Sequence, residues 1–222
     1  MCIRDRVIHH EFTHVIQFSV LFDGFWKSVR LLKFPILPLW LIEGLAEYNT
    51  KELDATERDM YVRDAATTNR LIPLGHLHNF GHLKPHQIVL AYKECNALMQ
   101  FIADEYGEDK LSKILKLYRD KIDPNSVLNE AIGLSLSDLE KKFREYLEEK
   151  YSFMKETLKV PTEYGKILTK SDIYQEFNTN PVFLPDNKKI VYMTDRKGYN
   201  EIVLLNLKTK KIETLIGQAK FD

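Results

Sequence analysis

The chain has 222 residues, 44% of them hydrophobic and 29% charged, with 32 basic and 32 acidic residues and a formal net charge of zero. This is the composition of an ordinary globular chain, and it leaves no electrostatic case for nucleic acid or an anionic membrane as partner. Two cysteines, Cys2 and Cys95, make no disulfide framework. The apolar stretch from Phe18 to Leu45 is interrupted by Asp23, Lys27, Arg30 and Lys33, so no membrane span is expected.

In chain order, the first periodic segment is Val7 to Phe18, where Val7, Ile8, Phe12, Val15 and Ile16 carry helical apolar spacing. A loop rich in Phe, Leu and Pro follows to about Pro38, and Pro38 suits the first turn of a helix running to about Thr50. Glu57 to Arg70 reads as helix and "LIPLGHLHNFGHLKP" as loop. A long helix from Pro85 closes at Gly107, and "EDKLSKILKLYRDK" and the short "SVLNEAIG" continue the helical pattern. Ser137 and Glu140 are expected to form a capping box for the last long helix, "DLEKKFREYLEEKYSF". After a linker over 156–178 the character changes to short runs of strand formers separated by "PDNKK", "DRKGYN" and "KTKK", a β-meander over 179–222. The fold class expected is α+β: a mostly helical domain over 7–155, then a short antiparallel meander. Val182, Leu184, Ile190, Tyr192, Ile202, Leu204 and Ile212 alternate along the strands and are expected to leave an apolar face exposed.

The chemistry lies in "HHEFTHVIQF". His10 and His14 are four residues apart, so on a helix both imidazoles leave one face and can share a metal. Glu11 stands beside them, within reach of a metal-bound water. The alternative is a chance match on an ordinary helix. His9 is turned about a third of a revolution away and reads as a surface residue or one standing behind the ligands. A catalytic zinc needs a third protein ligand, and "PLWLIEGLAEY" offers Glu43 and Glu47 one turn apart. They could be a solvated acidic face, but an acid set among Trp40, Leu41, Ile42, Leu45, Ala46 and Tyr48 is expensive unless paired or metal-bound.

"HEFTH" followed by "WLIEGLAEY" resembles the gluzincin metallopeptidases, in the aminopeptidase-N-like and peptidase-MA-like branches. The resemblance implies a Zn2+ cofactor, peptide or protein substrates and Glu11 as general base. It makes Glu43, in the Glu-Gly pair, the third metal ligand beside His10 and His14. Glu47 becomes the acid that hydrogen-bonds a ligand histidine from behind. "AYKECNALM" is similar to the aminopeptidase stretch whose tyrosine stabilises the oxyanion, which implies that role for Tyr92; Cys95 replaces the family glycine, and a tyrosine merely packed between helices is the other reading. Cys95 itself reads as a small helical core residue. His76, His78, His82 and His86 match no defined ligand pattern, so no second metal is expected.

The segment from Asn180 to about Ile216 resembles one blade of a TolB-like β-propeller, with Asn187 where that family usually has Gly; Asn tolerates the left-handed conformation. The propeller would present a docking surface to a protein partner or gate the cleft, and such a fusion implies an exported bacterial protein. A peptidase-like scaffold without activity, serving as an interaction module, is the rival reading. The opening "MCIRDR" resembles the translated end of a transposon adapter, so residues 1–6 are expected to be non-native and the chain a fragment cut at both ends.

Overall fold

The computed structural model describes residues 3–22, 36–50, 55–157, 159, 161–169, 177–197 and 199–217. The expected loop after the first helix falls largely on residues 23–35, outside the described residues, as do much of the linker and the closing "AKFD". The chain divides into two compact units: residues 1–83 with 87–158, and residues 84–86 with 159–222. Helices dominate the first and a four-stranded antiparallel sheet the second, an α+β architecture. No helix among the described residues is long and apolar enough to cross a membrane.

In the helical unit, α1 (Ile3–Phe22) packs on α2 (Leu39–Asn49). α3 (Ala55–Thr67) leads to two short 3-10 turns at His76–His78 and Phe80–His82, where the sequence reads as loop. His76 and His82 meet there edge to face, 5.3 Å between ring centres. α4 (Pro85–Tyr106), α5 (Glu108–Tyr118), α6 (Pro124–Ile132) and α7 (Leu136–Thr157) follow. α5 packs against α1 and α6, and α7 against α3. The break between α4 and α5 sits at Gly107, whose φ of +104° is a conformation that side-chain-bearing residues rarely adopt.

α2 is almost wholly interior. Trp40, Leu41, Ile42, Gly44, Leu45, Ala46 and Tyr48 are all buried, and Trp40, Leu41, Ile42, Leu45 and Tyr48 belong to one core cluster with residues of α4 to α7. Each large apolar side chain sunk in this way contributes about 1.5–3 kcal/mol. Gly44 is required by proximity: a Cβ there would stand 2.9 Å from the carbonyl oxygen of Cys95 and 3.0 Å from Met99 Cγ. α2 and α4 therefore touch backbone to backbone, and Cys95 is a buried core residue of that contact.

The capping box of α7 is displaced from its expected position. The helix begins two residues earlier, and its cap is Ser135, whose Oγ accepts the Asp138 N–H at 3.1 Å while Asp138 Oδ2 accepts the Ser135 hydroxyl at 2.6 Å. Glu140 is drawn elsewhere, accepting the Leu74 N–H at 3.3 Å and pairing with Arg144 at 2.9 Å. Both serines fit the local pattern; the tertiary demand on Glu140 selects between them.

The second unit holds a short helix, α8 (Pro161–Tyr164), and a meander of β1 (Asn178–Phe183), β2 (Lys189–Thr194), β3 (Glu201–Asn206) and β4 (Ile212–Ile216) in that order. Asn187, in the β1–β2 turn, has φ +53°. The expected apolar face is corrected by the register. Ile190 pairs with Leu205 and Tyr192 with Val203, and these four are buried together, whereas Ile202 and Leu204 lie on the opposite face. Val182 and Ile212 are exposed. Alternation within each strand was legible, but which residues of neighbouring strands share a face depends on pairing register.

Candidate metal centre

α1 brings His10 and His14 to one face because they are a helical turn apart; their rings meet edge to face, 4.9 Å between centres. α2 brings Glu43 against them. His10 Nε2 lies 3.2 Å from Glu43 Oε2, His14 Nε2 lies 3.5 Å from the same oxygen, and the two Nε2 atoms are 3.2 Å apart. Ligand bonds of about 2.0–2.1 Å in a tetrahedral zinc site set neighbouring donors about 3.3 Å apart, so this triangle has the edge lengths of one tetrahedral face. His10, His14 and Glu43 thus form a cluster able to hold a metal ion.

The outward nitrogens are occupied. His10 Nδ1 is 3.3 Å from Glu47 Oε1, and His14 Nδ1 is 2.9 Å from Gln17 Oε1. Oxygen acceptors at both Nδ1 atoms favour a proton there, so that once the proton on each Nε2 is displaced its lone pair is the one offered to a metal. Glu47 is itself braced, its Oε2 lying 3.3 Å from Nζ of the buried Lys93.

The electrostatics record a site that demands positive charge. The hydrogen bond to Glu43, then that to Glu47, raise His10 from 6.5 to about 9. The Glu43 bond also raises His14. Burial pushes Glu43 upward, but hydrogen bonds from both histidines overcome it and bring the carboxyl down to about 2. Glu47 is likewise lowered, with His10 and Lys93 outweighing its burial. Converging lone pairs that attract a proton this strongly are suited to a divalent cation in its place.

Glu11 is exposed and, with Val7, His10, Glu47, Val89, Tyr92 and Lys93, lines a cavity of about 410 Å³. Tyr92 is half-buried on α4, its ring centre 6.4 Å from that of His10, and Phe80 packs against it edge to face at 5.4 Å. Burial, and then the charges of Glu43 and Glu47, raise its phenol above the ordinary value, which keeps it a hydrogen-bond donor. His9 faces a different cavity with Ile8 and Phe12. The six expected site residues therefore come together on α1, α2 and α4.

The family model of the peptidase MA superfamily matches residues 3–149, the stretch that carries every one of these side chains. The chain belongs to the peptidase MA superfamily. Comparisons with curated proteins and with solved structures find no match. The helical unit is a metallopeptidase-like domain of this superfamily, and the metal-capable cluster of His10, His14 and Glu43 lies inside the matched span.

Two residues of this peptidase-MA site escape a reading of the sequence. Gln17 follows His14 by three residues and so shares its face, a signal that existed but matches no named motif. Lys93 reaches Glu47 only through the packing of α4 on α2; no local pattern announces it.

Proposed function

We propose that this chain hydrolyses peptide bonds with one zinc ion held by His10, His14 and Glu43, in the manner of the gluzincins. When bound, zinc supplies Lewis acidity, which lowers the pKa of a water to about 7 and polarises the scissile carbonyl. The chain's own residues do the rest. Glu11, open to the cleft, accepts the water's proton as the oxygen–carbon bond forms, then delivers it to the amine nitrogen as the carbon–nitrogen bond breaks. Tyr92 donates its hydroxyl to the carbonyl oxygen as that oxygen gains charge. Glu47 keeps His10 in the ligating tautomer. The domain over 7–155 carries this activity, and the sheet, as the first blade of a TolB-like propeller, offers a docking surface for a protein substrate or partner.

The observation that carries the proposal is the triangle of donor atoms backed by Glu47 and Gln17, with an exposed carboxylate on the adjacent residue. A structural zinc site has no need of Glu11. The test is Glu11→Gln in the full chain, with zinc content and hydrolysis of a generic peptide measured together. The amide cannot take the proton, so zinc should stay at one per chain while turnover falls by about 10²–10⁴-fold. Normal turnover by Glu11→Gln would remove the base from the mechanism. A wild-type chain that binds zinc and cleaves nothing would favour the silent scaffold.

A further inference from the structure

One buried polar side chain joins the two helices that carry the metal-binding residues. Gln17 is 2% exposed and lies just beyond His14 on α1. The ends of its amide have opposite hydrogen-bonding character, and each meets a different element. Nε2 donates to the backbone carbonyl of Ile42, on α2, at 2.9 Å. A carbonyl can only accept, so the amide nitrogen must face α2 and the amide oxygen must face His14. Oε1 is 2.9 Å from His14 Nδ1, and only a protonated Nδ1 can bond to it. That leaves Nε2, the nitrogen on the Glu43 side, as the atom that can give a lone pair to a metal. Ile42 immediately precedes Glu43, so the same amide holds the α2 backbone beside the third ligand.

We infer that Gln17 is a positioning residue that sets both the tautomer of His14 and the spacing of His14 from Glu43, so that metal affinity depends on it. The inference rests on the reading that His10, His14 and Glu43 hold zinc. The two histidines are held by unlike partners. His10 is backed by a carboxylate, Glu47, which is paired with Lys93. His14 is backed by a neutral amide, which adds no charge to a site already holding Glu43 and Glu47. A carboxylate in its place would still accept from His14, but its second oxygen would face the Ile42 carbonyl with nothing to donate.

Replacement can therefore separate the two bonds. On the full chain, zinc affinity is measured by chelator competition for the wild type, Gln17→Leu and Gln17→Glu, beside circular dichroism and thermal melting. Gln17→Leu loses both bonds and should bind zinc about ten- to a hundredfold more weakly while folded. Gln17→Glu keeps the acceptor for His14 and should recover most of the affinity, yet melt below the wild type. Unchanged affinity in folded Gln17→Leu overturns the inference, and so does a loss in both variants that merely follows their melting temperatures. Should Gln17→Leu not fold, nitrogen-15 spectra of the zinc-loaded wild type decide: a slowly exchanging Nδ1 proton on His14 supports the bond, and rapid exchange with solvent overturns it. A wild type that binds no zinc brings down the reading of the site as well. A wild type with one zinc and an unaffected Gln17→Leu brings down this inference alone.

Discussion

α1 and α2 supply the same site from different footings. α2 is held by apolar burial: seven of its residues lie in the core, and it touches α4 backbone to backbone at Gly44. α1 carries no such apolar belt around the turns that bear His10 and His14. Val7, Ile8, Phe12, Val15 and Ile16 are each about half or more exposed, and only near its C-terminal end do Leu21 and Phe22 enter the core. Between those ends α1 meets α2 through His10, His14 and Gln17. One helix is positioned by the core, whereas the other is docked largely by the groups that would hold the metal. Metal binding and the ordering of α1 should therefore be coupled, because the ion adds bonds where apolar contact is sparse.

Removing the bridge has the largest expected effect. His14→Ala leaves two ligands and should abolish stoichiometric zinc binding. In the wild type, added zinc should slow amide exchange across residues 7–22 and leave α2 nearly unchanged; in His14→Ala neither helix should respond. Equal protection of α1 with and without zinc would dissolve the contrast between the helices.

On the α2 side, Gly44→Ala places a methyl group against the Cys95 carbonyl and should cost about 1–3 kcal/mol, read by denaturant unfolding. The usual helix-propensity gain of alanine over glycine, about 1 kcal/mol, offsets part of this and leaves a net loss of up to about 2 kcal/mol. A variant as stable as the wild type would mean that α2 and α4 can separate freely.

Glu94, on α4 beside that contact, is buried and accepts the Ile72 N–H at 3.1 Å. Burial raises its pKa from 4.5 to about 8 against the opposing pull of the Ile72 bond and Arg144. A carboxyl raised in the folded state contributes stability that is fully present below about 4.5 and declines as pH rises through about 8. Glu94→Gln keeps an acceptor for Ile72 and cannot ionise, so its melting temperature should lack that decline. Parallel pH curves for the two proteins would show that Glu94 does not govern this side of the core.

The smallest effect is expected at Phe12, which lines the cavity beside His9 but is itself largely open. Phe12→Ser should change the stability of this chain by no more than about 0.5 kcal/mol, since Phe12 is 61% exposed. A loss several times larger in thermal melting would show that Phe12 is covered in solution.

Much of the site was legible because its spacing is local. His10, Glu11 and His14 lie within two helical turns, and that periodicity holds whatever surrounds the helix. Glu43 and Glu47 drew notice as acids in an apolar helix, since burying charge demands a partner. Their separate assignments, ligand and brace, came from resemblance, and the geometry places Glu43 Oε2 at the two Nε2 atoms and Glu47 at His10 Nδ1. Lys93 was not legible, because its partner lies on another helix 46 residues away. The capping box went to the wrong serine because Ser135 and Ser137 satisfy the same local rule, and only the Leu74 and Arg144 contacts of Glu140 separate them.

By itself the sequence determined what repeats over a few residues: the helices among the described residues up to 157, the strands of the meander, the shared face of His10 and His14, and the acids in α2. These follow from backbone geometry and the alternation of apolar with polar groups, which act at short range. The tertiary structure decided the rest. It brought Glu43 to the histidines, set Gln17 and Lys93 behind the site, required Gly44 to be bare of a side chain, and sorted Ile190 and Tyr192 from Ile202 and Leu204. Those outcomes depend on which distant surfaces pack together and in what register, and no local period encodes a contact between elements.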